Sequence, residues 1–308
     1  MGAECTDTSW TAALNARLGG QRAPLAGQWE LTCRCNLRCV MCYTDPFNTP
    51  ERVRQELATD EILRILCEVA DAGCLYLTLT GGEPLARPDF ADIYRAAKSR
   101  GFLLTVFTNG TLITEALADL WAEQPPHRIE ISLYGMTRDT FEGTTQRPRS
   151  HEACLRGIRR CQARRLPLVL KTPAMTINQH EILAMRDWAA ARGIHYQFGE
   201  RMRPRLDGSD DPRHYQLSEG ALRAVESQAG TAWDEHLQQG RAARRCGSER
   251  FMFHIDAYGQ LQLCSQNRRQ SYDLRRGSFR EGFYEALPSF PCPNQRGVQL
   301  TPLRATHA

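Results

Sequence analysis

Short apolar, β-rich runs alternate with helical patterns from Trp29 to about Gly199. In residues 59–72, apolar side chains recur with helical spacing and form one broad stripe. Thr59 or Asp60 is expected to cap this helix, and Gly73 to end it. The alternation predicts repeated βα units around a parallel sheet, an α/β fold. Six strand candidates are found, at residues 28–32, 75–80, 103–107, 128–133, 168–172 and 195–198.

A different pattern begins near residue 201. Residues 201–213 are rich in Arg, Pro, Gly and Asp and lack periodicity, which predicts a linker or long loop. Residues 217–239 have a helical pattern, and residues 251–263 predict a β-hairpin that turns at 257–259. We therefore expect a lead-in at 1–26, a core at 27–205 and a small α+β C-terminal extension at 206–308.

Composition and charge set limits on the function. The 308 residues are 42% hydrophobic and 24% charged, which is typical of a globular protein. No run approaches the roughly 18 to 20 apolar residues of a membrane span, and no secretory signal begins the chain, which predicts a cytoplasmic protein. Arginines cluster between Arg241 and Arg280, either as a solvated face or as a surface for an acidic or peptide partner. No nucleic-acid-reading motif accompanies them, so no nucleic-acid partner is expected.

The spacing of the twelve cysteines carries the candidate chemistry. In a reducing compartment, such a count favours metal or catalytic use over disulfides. Cys35, Cys39 and Cys42 form a CxxxCxxC pattern directly after the first strand candidate, and three thiolates can bind a [4Fe–4S] cube with one iron left open. On spacing alone, a zinc site with Cys33 as fourth thiolate is the alternative. Five isolated cysteines are interpreted as structural or incidental: Cys5, Cys67, Cys74, Cys154 and Cys161.

The stretch CNLRCVMCY closely resembles the cluster loop of radical S-adenosylmethionine (SAM) enzymes, including the aromatic Tyr43 after the last cysteine. Further motifs of that family follow later strand candidates in the same order, which favours the cluster over zinc. Cys33 departs from the family, where a bulky residue is usual, as does Met41, where His is frequent. The downstream matches are Gly81, Gly82, Glu83 and Pro84 (GGEP), Asn109 (TNG) and Ser132 (SLYG).

This resemblance implies a partial (β/α)6 barrel, similar to a TIM barrel, with the motifs at one mouth. It implies that Cys35, Cys39 and Cys42 hold a [4Fe–4S] cluster whose open iron binds SAM. The GGEP segment would meet the SAM amino group, with Glu83 as acceptor, while Ser132 would contact the ribose and Lys171 the carboxylate. An electron from a donor such as flavodoxin or ferredoxin would cleave SAM to a 5′-deoxyadenosyl radical, which abstracts hydrogen from the substrate.

The C-terminal cysteines resemble part of a known extension. Cys246, Cys264 and Cys292, together with the predicted hairpin, resemble the auxiliary-cluster extension called SPASM, or its shorter Twitch relative, but lack the further cysteines of a full extension. They could hold one auxiliary Fe–S cluster, either with an open iron or with a fourth ligand such as His254. The alternative is an extension whose cysteines bind nothing.

Analogy to SPASM proteins favours a peptide substrate and a role in ribosomal peptide maturation. A small-molecule radical SAM dehydrogenase, epimerase or decarboxylase of natural-product biosynthesis is the second hypothesis. The third is a catalytically silent Fe–S or zinc-binding partner protein, against which the intact cysteine and GGEP motifs argue.

Overall fold

A computed structural model describes residue 17 and residues 21–44, 49–199, 202–229, 250–265 and 267–291. Within these ranges, six parallel strands follow one another in chain order, each paired with the next. They confirm the six predicted βα units and the partial-barrel fold, with ends within two residues of the predicted ones. The strands are β1 (Ala26–Glu30), β2 (Tyr76–Thr80), β3 (Leu103–Thr108), β4 (Arg128–Ser132), β5 (Leu168–Pro173) and β6 (His195–Gly199).

Helices make the crossovers that parallel strands require. The described helices are α1 (Pro50–Gln55), α2 (Thr59–Asp71), α3 (Phe90–Ser99), α4 (Glu115–Glu123), α5 (Arg138–Thr145), α6 (Ser150–Ala163), α7 (Ile182–Ala190), α8 (Glu219–Ala229) and α9 (Phe279–Glu281). Shorter 3-10 turns occupy Pro84–Ala86, Gln179–Glu181, Asp211–Tyr215 and Leu287–Ser289, and a π-helical turn occupies Gly282–Ala286. The predicted helix at 217–239 is seen as α8, and its remainder lies outside the described residues.

Helix α2 shows how the helices attach to the sheet. Its predicted stripe is buried, including Ile62 and Val69, each with no exposed surface. The predicted cap was wrong: the helix begins after Ala58, whose N–H donates to the Glu61 carboxylate at 2.8 Å. Gly73 follows the helix end with a φ of +90°, as predicted, because a residue without Cβ adopts this angle without strain.

The predicted hairpin is confirmed as β7 (Met252–Ile255) and β8 (Gln260–Gln262), which pair antiparallel. Strand β7 also pairs in parallel with β1, and the short β9 (Tyr272–Asp273) pairs with β8. The described strands therefore form one sheet in the order β6-β5-β4-β3-β2-β1-β7-β8-β9. The C-terminal hairpin is thus continuous with the core sheet, a contact that no local sequence pattern indicated.

Residues 202–216, here called the strap, follow β6 and form the predicted non-periodic connection. Leu206 N–H donates to the Tyr43 carbonyl at 2.9 Å, and Met202 N–H donates to the Gln216 side chain at 2.6 Å. The end of the strap also pairs with Met175, in the segment after β5. The strap is thereby attached to the cysteine loop at Tyr43 and to the segment after β5 at Met175.

No helix in the described ranges combines the length and the apolar character that crossing a membrane requires.

Candidate active site

A cavity of about 600 Å³ lies at the carboxyl ends of the six parallel strands. This volume falls within the range of roughly 300 to 1,000 Å³ that is usual for small-ligand sites. Each of the six strands contributes a side chain to its wall, so the strand-end motifs converge on one mouth, as expected. These strand residues are Gln28, Thr80, Phe107, Ser132, Lys171 and Gln197.

The loop after β1 brings Cys35, Cys39 and Cys42 to this cavity. Its backbone is held against the end of α5: Arg38 N–H donates to the Thr145 carbonyl at 3.0 Å, and Val40 N–H donates to that of Thr144 at 2.9 Å. The sequence spacing alone could not specify this attachment, because α5 follows the loop by about a hundred residues. It fixes the cysteine loop at two points, one on each side of Cys39, the second thiol of the motif.

The thiols lie in a largely desolvated setting. Burial raises the pKa of Cys35 to about 12 and moves that of Cys39 further up, although the Tyr134 side chain lowers the latter. Leu37 N–H points to the Cys35 sulfur at 3.4 Å, and the Thr44 hydroxyl lies 3.3 Å from the Cys42 sulfur. Three thiols on one cavity with such donors fit the ligand set of a cluster, whose properties depend on hydrogen bonds to sulfur.

Cys33 does not share this cavity. Its backbone N–H donates to Glu56 at 2.8 Å, and its side chain lies against Tyr258 of the hairpin turn. Burial raises the pKa of the Cys33 thiol to about 11. The geometry therefore separates Cys33 from the three cysteines of the motif. In the described part of the chain, no three His, Cys, Asp or Glu side chains are grouped as a site for a single metal ion.

Gly81 and Gly82 line the cavity and also pack against the cysteine loop. Gly81 has a φ of +146°, and a Cβ there would lie 2.3 Å from the Thr32 carbonyl oxygen. A Cβ on Gly82 would lie 2.5 Å from the carbonyl oxygen of Arg34 and 2.7 Å from that of Cys33. We expected glycine here because a ligand approaches closely. The structure adds a different reason, which is that the backbone of the cysteine loop already occupies the space of the side chain.

Glu83, the expected acceptor for the SAM ammonium, is hydrogen-bonded within the protein. Its side chain is fully buried, is not part of the cavity wall, and accepts from Thr108 Oγ1 at 2.7 Å, Asn109 N–H at 2.7 Å and Leu85 N–H at 3.2 Å. Both carboxylate oxygens thus accept hydrogen bonds from the protein, which join Glu83 to the end of β3 and to the loop after it. Burial raises the pKa of Glu83 to about 7, against the lowering effect of these donors. Pro84 is likewise buried away from the cavity wall and begins a 3-10 turn.

Three further predicted residues line the cavity: Tyr43, Asn109 and Ser132. The Asn109 amide donates to Asn36 Oδ1 at 2.9 Å and lies 3.9 Å from the Cys35 sulfur, so it joins the cysteine loop to β3. Burial raises the pKa of the Tyr43 phenol to about 12. These residues line the same cavity as the three thiols of the motif.

Lys171 also lines the cavity, but it already has partners. Its ammonium forms an ion pair with the buried Glu130 and lies 4.7 Å from the centre of the Phe107 ring. The side chain keeps 40% of its surface exposed. A ligand carboxylate at this position would therefore share the lysine with Glu130.

Sequence reasoning missed several cavity residues. Gln28, Phe107 and Gln197 belong to predicted strands. Side chains in a strand alternate between its two faces, and this alternation places Asn109 or Lys171 at the site. The same alternation was the signal that could have identified the three missed residues. Tyr134 lies within the SLYG motif that we quoted without assigning it a role. Arg203 belongs to the strap, and no local signal distinguished it from an ordinary loop residue.

The C-terminal candidates are only partly described. Cys264 follows β8 as a free thiol, whereas Cys246 and Cys292 lie outside the described residues. His254 is fully buried, with neither ring nitrogen in a hydrogen bond, and its Nε2 lies 3.7 Å from Glu30 Oε1.

Arg268 binds the Glu30 carboxylate through both terminal nitrogens, at 2.8 and 2.5 Å. Burial opposes ionisation of Glu30, but His254 and Arg268 outweigh it and lower its pKa to about 2. The segment after β8 is thereby joined to the end of β1, beside the cysteine loop.

Comparison with known proteins agrees with this geometry. The model of the Radical SAM superfamily matches residues 29–189. An AdoMet-dependent heme synthase of Methanosarcina barkeri is 34% identical over 160 residues, which cover 52% of this chain and 45% of that protein. A PqqA peptide cyclase of Rhizobium meliloti is 34% identical over 119 residues, or 39% of this chain and 31% of that protein. The chain thus spans less than half the length of each.

A solved structure shares the fold over most of the chain. Streptococcus suis SuiB, bound to precursor peptide SuiA, superposes with a TM-score of 0.67 at 13% identity, covering 91% of this chain and 70% of that one. At this identity the likeness concerns the fold alone.

Proposed function

The chain belongs to the radical SAM superfamily, and from that premise we propose that it is a peptide-modifying member whose Cys35, Cys39 and Cys42 hold the [4Fe–4S] cluster. The superfamily is one of enzymes that use this cluster and SAM. The observation that carries the proposal is that these three thiols and the two glycines of the GGEP motif face one cavity. The bound cluster and SAM would supply one-electron cleavage of the sulfonium and removal of a hydrogen atom from a substrate C–H bond.

The residues of this chain would bind and orient. Gly81 and Gly82 bring backbone, without side chains, to the place where the methionine part of SAM would meet the cysteine loop. Asn109, Ser132 and Tyr43 supply polar groups on the same wall for the rest of SAM. Lys171, although paired with Glu130, presents its ammonium to the cavity and is the proposed partner of the SAM carboxylate. Glu83 would act indirectly, by holding Asn109 in place.

A peptide substrate is supported by two of the comparisons. One relative is named a PqqA peptide cyclase, and the structure of SuiB that shares the fold was determined with a precursor peptide. A small-molecule substrate is the second candidate, because another relative is an AdoMet-dependent heme synthase. A flavodoxin or ferredoxin is the proposed electron donor for either. The nine cysteines of the described ranges are free thiols, which supports a reducing compartment, the cytoplasm, as the proposed location.

We also propose one auxiliary Fe–S cluster on Cys246, Cys264 and Cys292, as the sequence resemblance implies. The test is iron content after anaerobic reconstitution. Two four-iron clusters would give about eight irons in the wild type and about four in a variant with Cys35, Cys39 and Cys42 changed to Ala. Four irons in the wild type and none in the variant would show that the extension holds no cluster.

The test of the main proposal separates SAM chemistry from substrate choice. Reconstituted, reduced protein is incubated with SAM, and release of 5′-deoxyadenosine is measured in the wild type and in the triple cysteine variant. We expect release only from the wild type, and release from neither would contradict the cluster assignment. Candidate peptides encoded beside the gene are then added, and their mass is measured. A mass change in a peptide supports the peptide function, whereas a change only in a small molecule supports the alternative.

A further inference from the structure

Among the described residues, Arg203 provides a positive charge at the cavity mouth that has no counter-charge. It lies on the strap, is exposed and lines the cavity. In the part of the chain that the structure describes, the other arginines of the strap are paired with its own aspartates: Arg205 with Asp211 at 3.9 Å, and Arg213 with Asp210 at 3.3 Å. No ion pair or hydrogen bond of the Arg203 side chain is found among the described residues. Its charge is therefore left facing the space where a substrate would lie.

The charge of the cavity wall strengthens this point. None of the described wall residues is Asp or Glu, and the wall contains two cations, Lys171 and Arg203. Lys171 is already balanced by Glu130 beneath it. Arg203 is the cation that remains without a counter-charge in the described wall. A guanidinium without a counter-charge favours a ligand that carries a carboxylate, because it can bind this group through two parallel hydrogen bonds.

The strap holds Arg203 in a defined position. Met202, its neighbour, is buried and hydrogen-bonded through its N–H to Gln216. Three residues after Arg203, Leu206 N–H donates to the carbonyl of Tyr43. Tyr43 directly follows the last cysteine of the motif. The segment that carries Arg203 is therefore held by hydrogen bonds before and after the arginine, and the second of these is to the cysteine loop. This holds the arginine in position for binding.

We propose that Arg203 recognises a carboxylate of the peptide substrate, from an Asp or Glu side chain or the C-terminus, and so selects acidic peptides at the cavity mouth. This inference rests on the proposed peptide function. Apolar residues of the same cavity wall, among them Met202 and Phe198, suit the carbon chain of the acidic residue or its neighbour. A charge-assisted hydrogen bond at such a site contributes about 1.5 to 3 kcal/mol, which corresponds to roughly 10- to 100-fold in affinity.

The test uses two pools of synthetic peptides that are identical except for Glu in one and Gln in the other. Both are bound to the reconstituted, SAM-loaded full chain, and dissociation constants are measured by anisotropy of labelled peptides. We expect the wild type to prefer the Glu pool by at least about tenfold, and Arg203→Gln to lose this preference. Arg203→Lys should keep part of it. The matched control is Arg205→Gln, on the same strap, which should keep it fully because Arg205 is paired with Asp211.

Several outcomes would overturn the inference. Equal binding of both pools by the wild type, or a preference for Glu that persists in Arg203→Gln, would contradict the proposal that Arg203 binds a carboxylate. Neither result would contradict the proposed peptide function. Binding of neither pool would reject both. SAM affinity is measured in parallel. If Arg203→Gln weakens the binding of SAM as much as it weakens the binding of the Glu pool, the arginine binds SAM and not the peptide carboxylate. GTP is included as a phosphate probe, and binding of GTP that depends on Arg203 and exceeds that of the Glu pool would also overturn the assignment.

Discussion

The Glu83 carboxylate accepts a hydrogen bond from the backbone N–H of Asn109 at 2.7 Å, which joins the loop after β2 to the loop after β3. Both loops line the cavity, at Gly82 and at Asn109 itself. The buried acid is therefore a structural link between two walls of the site. A buried carboxylate with donors but no cation is sensitive to pH, and this gives the first prediction.

Glu83→Gln should change how stability depends on pH. Burial raises the pKa of Glu83 to about 7 in the folded state from 4.5. Between these values the folded chain binds more protons than the unfolded chain, so this group makes the wild type less stable as pH rises from 4.5 to 7. Glutamine does not titrate. Relative to the variant, the wild type should lose up to about 3 kcal/mol of unfolding free energy across this window.

Urea unfolding of the metal-free protein at pH 4.5, 6 and 7.5 measures this difference. Comparing the two proteins at each pH cancels the contribution of the titrating groups that they share. A difference that stays constant with pH would contradict the raised pKa.

Gly82→Ala should disturb the cysteine loop itself. The new Cβ would lie 2.5 Å from the Arg34 carbonyl oxygen, a contact that backbone must move to relieve. We expect the variant to retain much less iron than the wild type after reconstitution, in addition to binding SAM more weakly. The matched control is Gly143→Ala in α5, where the nearest atom to a new Cβ is Ile177 Cδ1 at 3.5 Å. Iron content at the wild-type level in Gly82→Ala would show that the loop accommodates the side chain.

Cys33→Ala should keep the cluster, whereas Cys39→Ala should lose it. Cys33 lies against Tyr258 and off the cavity wall, while Cys39 belongs to the wall. Iron content and release of 5′-deoxyadenosine are measured in both variants. A loss of iron in Cys33→Ala equal to that in Cys39→Ala would support the four-thiolate arrangement instead.

Arg268→Gln should destabilise the fold by about 3 kcal/mol or more, because it leaves the Glu30 carboxylate buried without its cation. The control is Arg276→Gln, whose side chain is 89% exposed and pairs with Asp273 at 3.5 Å, so that its loss should have little effect. Both are measured by urea unfolding at pH 7. A loss in Arg268→Gln no larger than in the control would contradict a stabilising pair.

The same pair has a pH signature. The pKa of Glu30 is lowered to about 2 when folded, from 4.5. Its stabilising contribution is therefore present above pH 4.5 and is lost as pH falls towards 2. The difference between wild type and Arg268→Gln should shrink as pH is lowered below 4.5, and a difference that grows there would count against the assignment.

Local sequence patterns specified the secondary-structure elements and the order of the motifs. The six core strands, the stripe of α2 and the turn of the C-terminal hairpin follow from side-chain periodicity and turn residues, which act between near neighbours in the chain. Because the carboxyl ends of parallel strands share one edge, the same pattern also predicted that Cys35, Gly82, Asn109 and Ser132 would meet.

Features that depend on contacts between residues far apart in the chain became visible in the fold. Glu30 and Arg268 are 238 positions apart, and no local pattern indicates that β7 pairs with β1 to bring them together. Glu83 matches a ligand-binding motif, yet its three donors come from the folded neighbourhood and turn its carboxylate inward. Arg203 lies in a loop without periodicity, and its place at the cavity follows from hydrogen bonds of the strap to Tyr43 and Gln216. Periodicity determines which face of an element is buried, but pairing between distant segments depends on packing of the whole chain.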